Sequence, residues 1–334
     1  MVVKYIETEP GCDLDLSDNT NLWGPPPSLQ RALKAIDPSR LSKYPSAYSD
    51  ELKRALANYV GVDPSRIVVG CGSDDVLDSA IRALACRGDS LVQLDPTFSM
   101  IPVFAGVSGV SVIRISRTLP TLTSAFANAC ASLTYLCSPN NPTGEVISPD
   151  VIESIVKAAR GVVIIDEAYA EFSGENSLRL LDLYDNVLIT RTMSKAFGIA
   201  GLRIGYGIGS PGIIERVEAA RGPYKVTTIA ECAALAVLRD DIDWVTEKAR
   251  EAVENRRRFA AELCATGHAP LDSRANFVLV PVENSETVES AMRARGVAVR
   301  RFDKLTSIGD AVRIGIGPWP MMERCLDAFR AATS

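Results

Sequence analysis

The stretch from Asp166 to Arg203 constrains this chain more than any other. It opens Ile164-Ile165-Asp166-Glu167-Ala168-Tyr169. It closes Thr192-Met193-Ser194-Lys195-Ala196-Phe197-Gly198-Ile199-Ala200-Gly201-Leu202-Arg203. Val162 to Ile165 is an apolar run that reads as a buried parallel strand, which sets Asp166 at its carboxyl end. Val187 to Thr190 is a second such run, and Lys195 follows it on a loop of small and hydroxyl residues. Ligands of open α/β sheets gather at the carboxyl ends of the strands. The stretch therefore predicts an α/β fold that brings an acid, a lysine and an arginine to one sheet edge.

Taken singly, a lysine is most often a solvated charge, and a carboxylate after a strand is often a helix cap. Asp166 and Lys195 occur here with Tyr169, Ser194 and Arg203, and that set suits an anionic, electron-withdrawing cofactor joined to lysine as an imine. Pyridoxal 5'-phosphate needs a Schiff-base lysine, a carboxylate facing its pyridine nitrogen, and cations and hydroxyls for its phosphate. Asp166-Glu167-Ala168-Tyr169, Ser194-Lys195-Ala196-Phe197-Gly198 and Gly201-Leu202-Arg203 resemble the motifs of fold-type I pyridoxal-phosphate enzymes, in the histidinol-phosphate aminotransferase family. The resemblance extends over almost the whole chain.

Composition excludes several other classes. With 334 residues, 47% hydrophobic and 23% charged, the chain has the profile of a soluble enzyme able to bury two domains. A net charge of −5 without a long basic run argues against nucleic acid as the main partner. No apolar stretch reaches the roughly 18 residues of a membrane span. Met1 to Glu7 lacks a signal-peptide core, so a cytoplasmic protein is expected. The eight cysteines include no Cys-x-x-Cys pair and read as reduced core residues. His268 is the single histidine, which argues against a histidine-ligated metal or a Ser-His-Asp triad; no metal site is expected.

Along the chain, the loop Asp18-Asn19-Thr20-Asn21-Leu22-Trp23-Gly24 is similar to the family's Asn-Glu-Asn-Pro-Tyr-Gly segment, which lines the substrate pocket. Asn21 and Gly24 match it, whereas Thr20, Leu22 and Trp23 depart from it. The resemblance makes Asn21 and Trp23 substrate-binding residues. Tyr44, at a Tyr-Pro turn, corresponds to the tyrosine that reaches the cofactor phosphate of a neighbouring subunit, which implies a homodimer with shared active sites. Ile67 to Val69 is a strand, and Gly70-Cys71-Gly72-Ser73-Asp74-Asp75 leads into a helix expected over Val76 to Cys86. Small residues before a helix offer free N–H groups to an anion, so Gly72, Ser73 and Asp74 are assigned to a phosphate cup. Asp74 would contribute its backbone N–H and helix capping, since its charge would repel a phosphate. Phe98 follows the strand Ser90 to Leu94, where the family stacks an aromatic on the pyridine face. Asn141, after the strand Thr134 to Cys137, resembles the asparagine that donates to the cofactor's phenolic oxygen.

Gly207-Ile208-Gly209-Ser210-Pro211-Gly212 satisfies the Gly-x-Gly-x-x-Gly pattern of dinucleotide sites. It carries a proline and does not open a βαβ unit, so a nicotinamide site is rejected. Lys225 stands where the family usually has asparagine. Beyond the long helix Asp241 to Cys264, a βαββα order suggests a small α/β domain. Val312-Arg313-Ile314 resembles the family's closing strand, whose arginine holds the substrate's anionic group, and Arg300 is placed beside it.

The expected architecture is a large domain of residues 37–238 with a mostly parallel sheet between helices. A small domain joins residues 1–36 to residues 239–334. The function implied is amino transfer between histidinol phosphate and 2-oxoglutarate, within histidine biosynthesis, with Lys195, Asp166 and Tyr169 as catalytic residues. Thr192, Ser194 and Arg203 would complete the phosphate grip. The alternatives are an aromatic amino acid aminotransferase, a threonine-phosphate decarboxylase of the same fold, and a non-catalytic sensor. The last would need a DNA-binding region for which the chain has no room.

Overall fold

The computed structural model describes residues 11–117 and 122–333; the reading of Met1 to Glu7 lies outside them. The first strand, β1 (Leu14–Asp15), belongs to a small ladder taken up below. Seven others make the main sheet: β2 (Ile67–Cys71), β3 (Ser90–Asp95), β4 (Ser111–Ser116), β5 (Leu133–Cys137), β6 (Val162–Asp166), β7 (Val187–Thr192) and β8 (Ile204–Gly209). Their spatial order is β2-β8-β7-β6-β5-β3-β4. All run parallel except β8, which is antiparallel to both β2 and β7. The consequence for function is direct. Six parallel strands deliver their carboxyl ends to one edge, and the reversed β8 delivers its amino end there, so Arg203 arrives beside Lys195.

Twelve α-helices are described: α1 (Pro27–Lys34), α2 (Asp50–Val60), α3 (Ser73–Leu84), α4 (Ile101–Val107), α5 (Leu122–Asn128), α6 (Pro149–Ala158), α7 (Ala170–Ser173), α8 (Pro211–Arg221), α9 (Thr228–Asp240), α10 (Ile242–Ala265), α11 (Ser285–Arg293) and α12 (Trp319–Thr333). One face of the sheet packs Leu91, Leu133, Ile164 and Leu188 against apolar residues of α3, α4 and α8. The other packs Val69, Leu136, Ile165 and Ile189 against α2, α6, α9 and α10. Val163, Ile164 and Ile165 are fully buried, and each such side chain stabilises the fold by roughly 1.5–3 kcal/mol. A strand clamped this way holds Asp166 at a fixed height.

The expected strand Val162–Ile165 gains Asp166 itself, and α3 begins at Ser73, three residues earlier than the apolar spacing indicated. Asp74 and Asp75 occupy its first turn, where acids oppose the positive end of the helix dipole. Gly207 and Gly209 lie inside β8 rather than on a nucleotide loop. A Cβ at Gly205, the preceding glycine of that strand, would come within 2.0 Å of the Ser73 nitrogen. Glycine there lets the turn before α3 lie against β8.

The C-terminal sheet has the order β11-β12-β9, all antiparallel, from β9 (Phe277–Pro281), β11 (Arg300–Leu305) and β12 (Gly309–Gly315). A break at Val299 separates β11 from β10 (Val297–Ala298), which pairs in parallel with β1. A second core collects Leu14, Leu16, Val278, Val312, Ile314, Met322 and Phe329. Helix α10 joins the two cores, giving Val245, Ala249 and Ala252 to the first and Phe259 and Leu263 to the second. The N-terminal segment is tied across this junction. The Leu16 carbonyl accepts from the Gly315 N–H at 2.8 Å, and the Asn19 carbonyl accepts from Asn276 Nδ2 at 3.0 Å.

Candidate active site

Asp166 ends β6 opposite Cys137 of β5 and Thr190 of β7. It is buried, and the Tyr135 hydroxyl donates to its Oδ2 at 2.7 Å while the Ala168 N–H donates to Oδ1 at 3.2 Å. Burial pushes its carboxyl up to about 6, and these two bonds pull the other way by favouring the anion. Tyr169 follows, also buried, with its hydroxyl accepting from Asn19 Nδ2 at 3.2 Å and its ring edge-on to Phe277.

Lys195 follows β7 on a loop pinned from both sides. The Thr192 hydroxyl accepts from the Ser194 N–H at 3.1 Å, Asn21 Nδ2 donates to the Ala196 carbonyl at 2.9 Å, and Phe197 is fully buried. Lys195 Nζ donates to the Asp18 carbonyl at 3.0 Å. Burial lowers its pKa to about 8, and the nearby Arg313 guanidinium lowers it further in the same sense. An amine held this low is a stronger candidate nucleophile and base than an ordinary lysine.

Between these groups lies a cup suited to an anion. Helix α3 starts at Ser73, so its first N–H groups lack intrahelical acceptors. Arg203 Nη1 donates to the Ser194 hydroxyl at 3.3 Å, and its Nη2 lies 3.6 Å from Asp74 Oδ2. Asp74 therefore contributes its side chain to the cup as well as its backbone, and burial raises its carboxyl. Gly72 has φ +82°, and a Cβ there would meet Arg203 Nη2 at 2.5 Å. Only glycine leaves room for the guanidinium against that turn. Asp75 faces away, accepting from the Cys71 N–H at 2.9 Å and pairing with Lys225 Nζ at 3.0 Å. Lys225 thus buttresses the turn and does not line the cleft.

The cleft bounded by these residues holds about 480 Å³, in the range of small-molecule sites. Ser73, Asp74, Phe98, Asn141, Asp166, Tyr169, Thr192, Ser194, Lys195, Arg203, Arg300 and Arg313 all line it, with Asp18, Asn19, Thr97 and Phe302 added by the fold. Arg313 lies opposite Arg300 in the β11–β12 ladder. Its Nη1 donates to Asn141 Oδ1 at 2.5 Å and its Nη2 to the Ser17 carbonyl at 2.7 Å. Because Oδ1 of Asn141 is taken, its amide nitrogen is free to point elsewhere in the cleft. Four sequence-derived candidates lie outside the lining, the first being Gly72, which sits behind it against Arg203. Asn21 serves the Lys195 loop, and Trp23 is half-buried where the two cores meet. Tyr44 is 84% exposed and stacks on Tyr224 at 4.8 Å.

Two groups escaped the sequence reading. Tyr135 is a strand residue indistinguishable from core by pattern. On the opposite face of the sheet, Glu167 receives two bonds from Arg191, at 3.0 and 2.7 Å, both residues buried. This pair ties the residue after Asp166 to the residue before Thr192.

The sequence profile of the family "aminotransferase class I and II" matches residues 13–329. A histidinol-phosphate aminotransferase of Rippkaea orientalis is 36% identical over 321 residues, spanning 95% of this chain and 91% of the relative. That of Pseudomonas entomophila is 34% identical over 323 residues, spanning 94% and 92%. Among solved structures, histidinol-phosphate aminotransferase from Sinorhizobium meliloti in complex with pyridoxal-5'-phosphate superposes with a TM-score of 0.85 at 26% identity, covering 96% of this chain and 91% of that one. L-threonine-O-3-phosphate decarboxylase from Porphyromonas gingivalis, with a TM-score of 0.82 at 21% identity and coverage of 95% and 98%, shares the fold.

Proposed function

We propose that this chain, which belongs to the aminotransferase class I and II family, is a pyridoxal-phosphate-dependent aminotransferase. Its reaction is histidinol phosphate plus 2-oxoglutarate giving imidazole acetol phosphate plus glutamate. The observation that carries this reading is one cleft holding a half-buried amine of lowered pKa, Lys195, and a buried carboxylate, Asp166, with an anion cup between the same strand ends. The names of the relatives support the substrate.

The donor set fits the cofactor. Asp166 is the buried acid that a pyridinium nitrogen requires. The cup of Gly72, Ser73, Asp74, Ser194 and Arg203, with Thr192 beside it, suits a phosphate, and Phe98 suits a ring face. When bound, pyridoxal phosphate supplies an electron sink for the pair left on the substrate carbon. Lys195 Nζ would hold the cofactor through its aldehyde carbon and, once released by the substrate's amine, would stand free in the cleft. That amine would serve as the base that takes the proton from the substrate's amine-bearing carbon and then as the acid that gives it back. Asp166 holds the ring-nitrogen proton. Asn141 and Tyr169 would donate to the cofactor's phenolic oxygen, and Arg313 fixes the Asn141 amide for that task. Arg313 and Arg300 take the phosphate of one substrate and the carboxylate of the other, since a guanidinium fork suits both.

The same reading makes the enzyme a cytoplasmic homodimer in which Tyr44 reaches the neighbouring subunit's phosphate. What supports the dimer is exposed apolar surface: Leu41, Tyr44, Tyr48, Tyr224 and Ile229 are all 36% exposed or more, and Tyr44 and Tyr224 stack on one another. Among the described residues no helix is long and apolar enough to cross a membrane. The proposed division into residues 37–238 and residues 1–36 with 239–334 is supported by the second core, while the first core crosses it through Val245, Ala249, Ala252, Ala275 and Phe277. Borohydride reduction followed by peptide mapping tests the cofactor assignment, with the label expected on Lys195. A panel of amino donors with 2-oxoglutarate tests the substrate. Turnover of phenylalanine or tyrosine with histidinol phosphate inert would overturn the substrate and leave the chemistry standing.

A further inference from the structure

We infer that Tyr135 is a positioning residue for Asp166: its hydroxyl, donated to Oδ2, holds that carboxylate in one orientation and in its charged form, ready for the ring nitrogen of pyridoxal phosphate. This rests on the assignment of Asp166 to that nitrogen. Tyr135 lies in the middle of β5, 1% exposed, in a layer otherwise built from Leu91, Leu133, Ile164 and Leu188. A phenylalanine would fill that layer equally well. A buried hydroxyl is costly unless it is bonded, and this one donates to the Asp166 carboxylate at 2.7 Å. That distance is typical of a hydrogen bond from a neutral hydroxyl to an anion, which is stronger than a bond between neutral groups.

The direction of the bond fixes its effect. The phenol is pushed well above its ordinary pKa by burial and by Asp166, so it stays protonated and remains the donor. A donor to a carboxylate favours the anion. That opposes burial and the like charge of Asp74, which both favour the neutral acid. The other groups facing Asp166 are Cys137 on β5, held neutral by burial, Tyr169 beyond β6, and the Thr190 hydroxyl on β7. Lys195 and Arg203 line the same cleft. With Tyr135 on Oδ2 and the Ala168 N–H on Oδ1, the carboxylate cannot rotate without losing both bonds. Its remaining lone pairs are left to the cleft.

Tyr135→Phe removes one oxygen and keeps the ring that fills the layer. The ionisation of Asp166 is followed in the full chain without cofactor, from the carbonyl-stretch infrared difference between each protein and its Asp166→Asn counterpart. Tyr135→Phe should raise the midpoint by about one pH unit, a tenfold change in proton affinity. Incorporation of 3-fluorotyrosine at 135, a stronger donor of the same shape, should lower it. A merely structural tyrosine would not move the midpoint in opposite directions. In the holoenzyme, Tyr135→Phe should weaken pyridoxal phosphate binding below neutral pH and leave it near normal in alkali. A midpoint unmoved in both variants, or moved the same way in both, overturns the inference. Failure of borohydride to label Lys195 would strike the cofactor reading instead, and the infrared midpoints would still report on the Tyr135–Asp166 bond.

Discussion

Replacing Lys195 by methionine should stabilise the cofactor-free protein by an amount that depends on pH. Burial, and next the Arg313 guanidinium, depress the Lys195 amine from 10.5 to about 8. Set against an ordinary lysine in the unfolded chain, that gap corresponds to about 3 kcal/mol of destabilisation at neutral pH. The amine borders an open cleft and donates to the Asp18 carbonyl. Water therefore screens part of the cost, and about 1–2 kcal/mol is the expected size. Below pH 8 both the folded and the unfolded chain carry the proton, so the whole penalty is present. Between about 8 and 10.5 the unfolded chain keeps a proton that the folded chain has lost, and stability rises with pH. The advantage of Lys195→Met should accordingly be largest below pH 8 and fade above it. What remains at high pH is the packing contribution of methionine, which does not titrate. Urea denaturation of both proteins from about pH 6.5 to about pH 10, compared at equal m-value, measures the difference. A stability difference that stays flat across that range would refute the reasoning.

Three further outcomes are expected. Gly72→Ala combines a left-handed backbone strain of about 1–2 kcal/mol with displacement of Arg203, whose Nη2 lies 2.5 Å from the added Cβ; spectral titration should show pyridoxal phosphate affinity reduced at least about tenfold in a folded protein. Arg313→Lys keeps the charge but loses the fork and one of its bonds to Asn141 or Ser17, so initial rates should show a raised KM for both histidinol phosphate and 2-oxoglutarate. Mixing inactive Lys195→Ala with inactive Tyr44→Ala should restore activity in hybrid dimers, and verified hybrids without activity would mean that each site is complete within one chain.

The parts of this molecule legible in the sequence are those where one residue type serves both local pattern and chemistry. Val162 to Ile165 and Val187 to Thr190 are apolar enough to be central strands, and the polar residues that follow had to fall at their ends. Arg203 was legible by motif, and its approach to Lys195 came from the reversal of β8, which no local pattern encodes. Strand β4 (Ser111–Ser116) escaped notice because it is an edge strand with half-exposed residues, among them Arg114 at an exposed position. Helix α3 was placed late because Ser73, Asp74 and Asp75 break the apolar spacing while suiting a helix N-terminus. Tyr135 and the Glu167–Arg191 pair were invisible for a different reason. Their roles depend on which strand neighbours which, and a tyrosine between Thr134 and Leu136 reads as core until Asp166 is placed one strand over.

Burial acts on the two central groups in opposite senses. It raises Asp166 to about 6 and lowers Lys195 to about 8. Near pH 7, about a tenth of the Lys195 amine is neutral, against fewer than about one in a thousand for an ordinary lysine, while about nine-tenths of Asp166 stays ionised. Attack on an aldehyde needs the neutral amine, and holding a pyridinium proton needs the carboxylate. Both are deprotonated forms, so a rise in pH favours them together, and they coexist above the higher of the two pKa values, that of Lys195. Burying the site further would bring them together, because it pushes each group toward neutrality. The bonds from Tyr135 and Ala168 hold Asp166 down, and the Arg313 charge keeps Lys195 low without further burial. The hydrogen bonds around the carboxylate therefore keep a charge that dehydration alone would remove, and the guanidinium near the amine favours its neutral form without that cost.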